Sequence, residues 1–258
     1  FFFKQKTAYE IVSRDWSSYV CSSDLRKMLI LRKSQDRGQT NFGWLNSKHS
    51  FSFGHYYDPE HLGFSVLRVI NDDIVAPGAG FDAHGHRDME IISYVLEGSI
   101  EHKDSSGNIQ TLPAGEFQLM SAGKGIFHSE YNASKHHPLR FLQIWIEPNK
   151  VGPKPSYQQK SFGKALGLTT IATPTGENNT LKITQEAKLH QLIIGAGETF
   201  QFNQSQGNNL YVHQITGTVH INNTVLSAGD GAQITYEETL TFCNESRSDI
   251  TALIFELP

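Results

Sequence analysis

The sequence predicts an all-β protein made of two successive antiparallel barrels. Short apolar or alternating stretches recur along the 258 residues, and glycine- and proline-containing turns separate them. The 22 glycines provide a tight turn between most of these stretches. The first half shows no stretch with the 3.6-residue apolar period of a substantial helix. Turn motifs of the first half recur in the second, which indicates a duplicated unit.

Residues 1–27 are set apart from the rest of the chain. They show no periodicity, and they lack the apolar core and the small-residue cleavage site of a signal peptide. They resemble the translation of a sequencing adapter joined to a start at Met28, so we expect a non-native leader. Without them Cys243 is the one remaining cysteine, and we expect it to be a small buried apolar side chain. A lone cysteine fits a reducing compartment, and we expect a cytoplasmic protein.

Composition excludes two broad classes of function. Hydrophobic content of 38% and charged content of 19% are ordinary for a globular protein. The net charge is −4, and it becomes −6 when the five basic and three acidic residues of the first 27 are left out. A general nucleic-acid binder normally has a basic excess, so we expect no direct contact with nucleic acid. Apolar runs stay well below the roughly 18 residues that cross a bilayer, so we expect no membrane association.

In the first half, the boundaries of the predicted strands are given by turn residues. Asp58-Pro59 disfavours helix before the proline, and Pro77-Gly78 and Pro113-Ala114-Gly115 are typical turns. An aromatic segment at 43–57 precedes them and is suited to packing against a sheet. The strands predicted between these signals are 29–31, 64–70, 80–86, 91–96, 99–104, 109–112, 118–120, 125–130 and 140–146.

The second half begins after a stretch rich in glycine, proline and lysine. We expect 28–148 to form an N-terminal metal-binding barrel, 149–167 a connector with at most one helical turn, and 168–258 a C-terminal barrel without metal. Strands are predicted in the second barrel at 189–194, 211–215, 218–222, 231–235 and 250–255.

Two pairs of residues in the first half have the character of metal ligands. His84 and His86 are one residue apart, and so are His128 and Glu130. Side chains two apart on a strand project from the same face, so two adjacent strands bring three imidazoles and a carboxylate together. Such a set suits a divalent iron, nickel, copper, cobalt, manganese or zinc ion. Glu90 is the alternative carboxylate, because it shares the face of His84 and His86 if that strand is unbroken.

The repeat indicates a single site. The motif Leu-Glu-Gly-Ser-Ile at 96–100 is echoed at 215–219, and Leu-Pro-Ala-Gly-Glu at 112–116 is echoed at 226–230. These anchors place the four candidate ligands near four residues that are not strong ligands, namely Asn203, Ser205, Phe242 and Asn244. We therefore expect two barrels, of which only the first holds a metal site.

These spacings resemble the two cupin motifs. The first is a glycine, His-x-His, a glutamate and a glycine, and the second is Gly-x5-Pro-x-Gly with a later histidine and asparagine. The matching positions are Gly80, His84, His86, Glu90 and Gly98, followed by Gly107, Pro113, Gly115, His128 and Asn132. Within cupins, the segments 43–59 and 123–130 resemble the pirin family, most closely its bacterial quercetin 2,3-dioxygenases.

The resemblance implies a bicupin of two jelly-roll barrels with one metal, for which we expect iron. It implies His84, His86, His128 and Glu130 as ligands, with Glu130 also accepting a proton in catalysis. The expected reaction opens a flavonol such as quercetin with dioxygen and releases carbon monoxide. The alternative is a metal-dependent regulatory protein acting through a protein partner. We expect a monomer.

Most of the other histidines are not expected to bind the metal, and several apolar residues are expected to line the substrate site. We expect His102, His136, His137, His213 and His220 to be polar or packing residues, and the roles of His49 and His55 stay open. An apolar slot for flat rings is expected from inward-facing residues among Phe81, Met120, Phe127 and Phe141.

Overall fold

The protein consists almost entirely of β-strands, as predicted. The structure is a computed structural model, and it describes residues 28–204, 207, 209–237 and 239–258. The predicted leader, Cys21 and Ser205 lie outside these residues. Within them the chain forms 22 strands and two short 3₁₀ turns, at Ser34–Asp36 and Glu177–Asn179. None of the helical segments in this part of the chain is long and apolar enough to cross a membrane.

The first unit pairs a seven-stranded sheet with a four-stranded sheet. The strands up to the middle of the chain are β1 Met28–Arg32, β2 Gly38–Asn41, β3 Leu45–His49, β4 Leu67–Val75, β5 Gly80–His86, β6 Glu90–Glu97, β7 Ser99–Asp104, β8 Ile109–Pro113, β9 Glu116–Ser121, β10 Ile126–Asn132, β11 Leu139–Ile146 and β12 Ser156–Ser161. The large sheet has the order β12-β9-β6-β11-β4-β3-β2, and the small sheet has the order β5-β10-β7-β8.

The second unit repeats this arrangement. Its strands are β13 Gly167–Thr173, β14 Leu181–Lys182, β15 Lys188–Ile194, β16 Thr199–Asn203, β17 Asn209–Thr216, β18 Thr218–Ile221, β19 Thr224–Ser227, β20 Gly231–Thr235, β21 Thr239–Cys243 and β22 Ile250–Leu257. The sheet orders are β1-β20-β17-β22-β15-β13-β14 and β16-β21-β18-β19. Each unit is therefore a pair of jelly-roll sheets rather than one closed barrel, and the predicted bicupin class is confirmed.

Each seven-stranded sheet has one edge strand that comes from outside the stretch of chain forming the rest of its unit. β1 precedes the first unit, yet it pairs with β20 of the second along its whole length. β12 lies within the predicted connector 149–167, and it pairs with β9 of the first unit. Both strands cover what would otherwise be an open edge of a large sheet, where unpaired backbone groups favour aggregation.

The largest apolar cluster lies between the two seven-stranded sheets. It contains residues of both units, including the stacked rings of Tyr94 and Phe117 and the buried Tyr211 and Phe255. A second cluster fills the interior of the second unit. The interior of the first unit instead holds two smaller apolar clusters. The space between these two clusters is where the predicted ligands lie.

A buried asparagine closes the same corner in both units. Asn132 donates from its amide to the carbonyls of Val75 and Ala76, and Asn244 donates to the carbonyls of Ile194 and Gly195. Asn244 therefore corresponds to Asn132, and the mapping of Asn244 onto Glu130 from the sequence was wrong by two residues. The reason is a shorter connection before β21, which the turn motifs upstream cannot reveal.

With the corner asparagines aligned, Phe242 corresponds to Glu130 and Leu240 to His128. Both side chains are fully buried in the apolar interior of the second unit. Cys243, which follows Phe242 on β21, is only half-buried, contrary to the expectation of a buried side chain.

Candidate metal centre

His84 and His128 face each other across neighbouring strands. They are paired residues in the antiparallel ladder between β5 and β10, and their Nε2 atoms are 3.1 Å apart. The Nδ1–H of His84 donates to the backbone carbonyl of Asp82 at 2.7 Å. A carbonyl only accepts hydrogen bonds, so this contact fixes the tautomer of His84 and leaves the Nε2 lone pair free.

His86 completes a compact group of three imidazoles. Its ring centroid is 4.8 Å from that of His84 and 4.9 Å from that of His128. Burial, together with the neighbouring imidazoles, lowers the pKa of His86 to about 4 and that of His128 to about 3. Both rings are therefore neutral at physiological pH. Neutral imidazole is the form that binds a metal ion.

Glu130 is as buried as His128, and one of its oxygens already accepts two hydrogen bonds. Oε1 accepts hydrogen bonds from Nε2 of Gln118 at 2.9 Å and from the hydroxyl of Ser93 at 3.2 Å. Oε2 is buried and has no hydrogen-bond partner among the described residues. A register shift between His128 and Glu130 marks a β-bulge, a feature that commonly re-aims side chains beside active sites.

The predicted ligands fall into two overlapping groups. His84, His86 and His128 form one group with ligand atoms within 4.8 Å of one another. Glu130 belongs to a second group with His128 and His102, within the same limit. His128 is common to both. The structure thus brings the two predicted pairs to one place, and it adds a histidine that the sequence did not single out.

Glu90 belongs to neither group. Its buried carboxyl accepts from the hydroxyl of Ser121 at 2.8 Å and from the backbone N–H of Thr184 at 3.2 Å. The strand of His84 and His86 does not continue to Glu90, because β5 ends at His86 and Asp88 has a left-handed backbone with φ of +48°. Glu90 begins the next strand and connects the first unit to the second.

His102 was expected to be an ordinary polar residue, and it is instead fully buried beside the predicted ligands. Its ring centroid is 5.4 Å from that of His128 and 4.7 Å from the ring of Tyr157. Nε2 of His102 is 3.2 Å from the carboxylate of Asp104. The spacing His102-x-Asp104 repeats the alternation of the two predicted pairs, and this signal was available in the sequence.

A polar layer crosses the interior of the first unit at this level. Ser93 is paired with Gln118 and with Gln143 in the ladders of the large sheet, and Glu130 is paired with His102 in the small sheet. The matching positions in the second unit are apolar and buried: Val212, Ala232, Ile254, Phe242 and Ile221. Polar groups are expensive to bury, so a layer kept in one unit and absent from its copy indicates a functional site.

The aromatic residues at the centre differ from the predicted slot. Phe127 is 63% exposed, whereas Met120 and Phe141 are packed in the apolar clusters. The ring that contacts a proposed ligand is that of Trp145, 5.0 Å from His86, and Phe53 packs behind it, 5.3 Å from Trp145. Nε1 of Trp145 is buried without a partner in the described part of the chain.

One further carboxyl borders this interior. Asp73 is buried on β4 opposite Phe141, and Oδ1 has no partner within the described ranges. Burial, together with the charges of Asp72 and Glu130, raises the pKa of Asp73 to about 7. His49, whose role was open, lies in the same interior and contacts Asn71 at 2.8 Å.

These residues fit a divalent transition metal. Two ligands at right angles on one ion, each at about 2.1 Å, are roughly 3 Å apart, and the Nε2 atoms of His84 and His128 have this separation. Oε2 of Glu130, which has no partner among the described residues, is an oxygen available to such a set. Imidazole nitrogens with one carboxylate oxygen are typical donors for iron, nickel, copper or zinc.

The paired jelly-roll units with a histidine-rich centre in the first define a bicupin. The sequence of residues 31–146 matches the Pirin family, and that of residues 170–257 matches the quercetinase C-terminal cupin domain. The chain is 43% identical to quercetin 2,3-dioxygenase of Escherichia coli K12 over 231 residues, which span 90% of this chain and 99% of that protein. It belongs to the pirin family, as the motifs predicted.

Two further relatives agree with this assignment. The pirin-like protein YhaK of Escherichia coli K12 is 35% identical over 238 residues, covering 90% of this chain and all of that protein. The crystal structure of the bacterial pirin YhhW of Escherichia coli in complex with nickel(II) superposes with a TM-score of 0.86 at 43% identity. That alignment covers 90% of this chain and 99% of the other.

Proposed function

We propose that the protein is a metal-dependent dioxygenase that opens the heterocycle of quercetin or a related flavonol. The observation that carries this proposal is the interior of the first unit, where His84, His86 and His128 form one group of possible ligands and His128 also groups with Glu130. Oε2 of Glu130 has no partner among the described residues. The dioxygenase name of a relative that spans nearly the whole chain supports the same activity.

The proposed ligands are His84, His86, His128 and Glu130, held in the N-terminal unit 28–148. A divalent transition metal bound there lowers the pKa of a coordinated hydroxyl, and this is the chemistry it supplies to a flavonol. The nickel in the YhhW complex supports a metal of this class. We propose iron as the ion used in the cell, because dioxygen chemistry is common at iron centres held by imidazole and carboxylate.

The residues around the ligands have separable roles. Gln118 and Ser93 hold Oε1 of Glu130, so Oε2 is the oxygen that would bind the metal and, on leaving it, would take the proton from the enolic hydroxyl of the substrate. The rings of Trp145 and Phe53 form an apolar wall against which a flat aromatic ring can stack while water is kept out. One oxygen atom of dioxygen is added to each of the two ring carbons that flank the hydroxyl-bearing carbon, which gives a ring-opened ester with a carboxyl group. The hydroxyl-bearing carbon leaves with its own oxygen as carbon monoxide.

The proposal also covers the link between the units, the second unit, the oligomeric state and the cellular environment. We assign 149–167 to the link between the units, with β12 contributed back to the first, and 168–258 to a second unit without metal. We propose a monomer in a reducing, cytoplasmic environment, with a flavonol and dioxygen as its partners.

The test is oxygen-dependent loss of quercetin by protein purified without oxygen and loaded with iron or nickel. Absorbance of quercetin is followed when air is admitted, and carbon monoxide is measured in the same vessel. We expect turnover by the wild type, none by His84→Ala, and full turnover by His136→Ala, whose side chain is exposed on a loop. Stoichiometric metal without loss of quercetin would contradict the proposed reaction while leaving the metal site intact.

A further inference from the structure

His102 occupies a position that the fold otherwise fills with an apolar residue. It is paired with Glu130 in the small sheet of the first unit, and Ile221 is paired with Phe242 at the same place in the second. His102 is fully buried, so its imidazole is held away from water at an energetic cost. The fold alone does not require an imidazole here, because isoleucine serves in the copy.

The surroundings of His102 fix its tautomer. Oδ2 of Asp104 lies 3.2 Å from Nε2 of His102, and the same carboxyl accepts from the amide and the backbone N–H of Asn108 and from the backbone N–H of Ser106. A carboxyl group surrounded by donors acts as an acceptor, so Nε2 of His102 carries the hydrogen. Nδ1 therefore presents a lone pair, and it is buried without a partner in the part of the chain described.

His128 shows the complementary pattern. Its Nε2 faces Nε2 of His84 and is the atom proposed to bind the metal. A neutral imidazole that gives the Nε2 lone pair to a metal carries its hydrogen on Nδ1. Nδ1 of His128 is also buried without a partner among the residues described. The first unit thus contains one buried donor and one buried acceptor on neighbouring rings.

The two rings are spaced for a hydrogen bond. Their centroids are 5.4 Å apart, and two imidazoles joined by an N–H···N bond have centroids separated by about 5 Å. Each Nδ1 is without a partner among the described residues, so the bond forms only when the two rings turn toward each other. The ring of Tyr157, contributed by β12, lies against the other side of His102 and limits its movement.

We propose that His102 is a positioning residue of the metal centre, and that its Nδ1 accepts the hydrogen bond from Nδ1–H of His128. The chain Asp104–His102–His128 then fixes the tautomer and orientation in which His128 presents Nε2. Ligating histidines usually donate their second nitrogen to such an acceptor, and its loss weakens metal binding about 10- to 100-fold. This inference rests on the proposed ligation by His128.

The test measures cobalt(II) affinity by competition with a chelator, together with the visible ligand-field spectrum. Asparagine places an oxygen acceptor near the position of Nδ1, whereas leucine and glutamine do not. We expect His102→Asn to bind cobalt(II) almost as the wild type does. We expect His102→Leu and His102→Gln to bind about 10- to 100-fold more weakly with an unchanged ligand set. His220→Leu, on β18 of the second unit, is the matched control.

The outcomes separate this inference from the proposed function. Wild-type affinity in His102→Leu and in His102→Gln would overturn it. A cobalt spectrum that loses a nitrogen ligand in these variants would also overturn it, because His102 would then bind the metal directly. A wild-type protein that takes up no cobalt contradicts the metal site itself. Thermal unfolding of each variant identifies any loss of affinity that arises from misfolding.

Discussion

Glu130 is suited to its proposed role because its two oxygens have different surroundings. Gln118 and Ser93 bind Oε1, while Oε2 has no partner among the described residues. The position of Gln118 is in turn fixed by the hydroxyl of Tyr157, which donates to its Oε1 at 3.1 Å. A carboxylate held at one oxygen keeps the other at a defined position, which is what ligation or proton transfer requires.

Replacing Gln118 with leucine tests this arrangement. The substitution removes a donor to a charged group, an interaction that contributes about 1.5–3 kcal/mol. We expect quercetin turnover by the metal-loaded variant to fall at least about tenfold, with the metal still bound. Gln110→Leu, at an exposed position on β8, serves as the control and should leave turnover unchanged. Equal turnover in both variants would contradict the role given to Gln118.

His213 makes stability depend on pH. It is fully buried on β17, and burial together with the charge of Arg37 lowers its pKa to about 3. In the unfolded chain its pKa is near 6.5. The folded state cannot take up the proton that the unfolded state binds below pH 6.5, so the stabilisation is complete above this pH and is lost progressively between pH 6.5 and 3.

The corresponding prediction is a shallower loss of stability in His213→Gln. One such imidazole contributes a slope of up to about 1.4 kcal/mol of unfolding free energy per pH unit. Urea unfolding at pH 7, 6 and 5 should show that the wild type loses more stability than the variant over this range. The exposed His136→Gln should follow the wild type. Parallel curves for wild type and His213→Gln would exclude buried His213 as a cause of acid sensitivity.

At the level of the strands, one corner motif serves both units. Asn132 follows the ligand strand β10, and Asn244 follows β21; each is buried and donates to three backbone carbonyls. The first corner lies two residues after Glu130, whereas the second lies beside an apolar interior. Substitutions at the two asparagines can therefore distinguish the effect of the corner on stability from its effect on the proposed metal centre.

Alanine substitutions at these two corners form a matched pair. Each leaves buried carbonyls without donors, and we expect each to lower the free energy of unfolding by about 2–4 kcal/mol. Asn132→Ala should also weaken metal binding, because β10 carries His128 and Glu130. Asn244→Ala should retain wild-type metal affinity. The explanation fails if chelator competition gives both variants the same loss of affinity.

The strands also show what the sequence can and cannot predict. The clustering of the proposed ligand pairs was predictable, because His84-x-His86 and His128-x-Glu130 need only the two-residue period of a strand. The alternation His102-x-Asp104 was visible in the sequence, but its position opposite Glu130 depends on the register of β7 with β10, which is set by pairing between distant segments. The pairing of β1 with β20 and of β12 with β9 is equally non-local. Nothing in the residues of either edge strand specifies the sheet that it joins.

At the scale of the whole molecule, the two units share one core. Residues of both large sheets form a single buried cluster. Glu90 of the first unit also accepts a hydrogen bond from the backbone N–H of Thr184, which lies between β14 and β15 of the second unit. The second unit fills its own interior with apolar residues in place of the polar layer. Its contribution is therefore to support the sheet behind the centre, and unfolding of one unit exposes the core of the other.

Metal binding should therefore stabilise both units together. Calorimetry is expected to show one unfolding transition, shifted upward as a whole by metal in the wild type and unshifted in His84→Ala. An ion at 100 times its dissociation constant adds about 2.7 kcal/mol to the free energy of unfolding. Two separate transitions, only one of which responds to metal, would show that the units unfold independently.

The most direct test of the central claim is the anomalous scattering of crystals loaded with iron or nickel, collected at the absorption edge of the metal. We expect one strong peak per chain, at about 2.0–2.2 Å from nitrogens of His84, His86 and His128 and from an oxygen of Glu130. A peak at Glu90, a peak inside the second unit, or no peak from a metal-replete sample would contradict it.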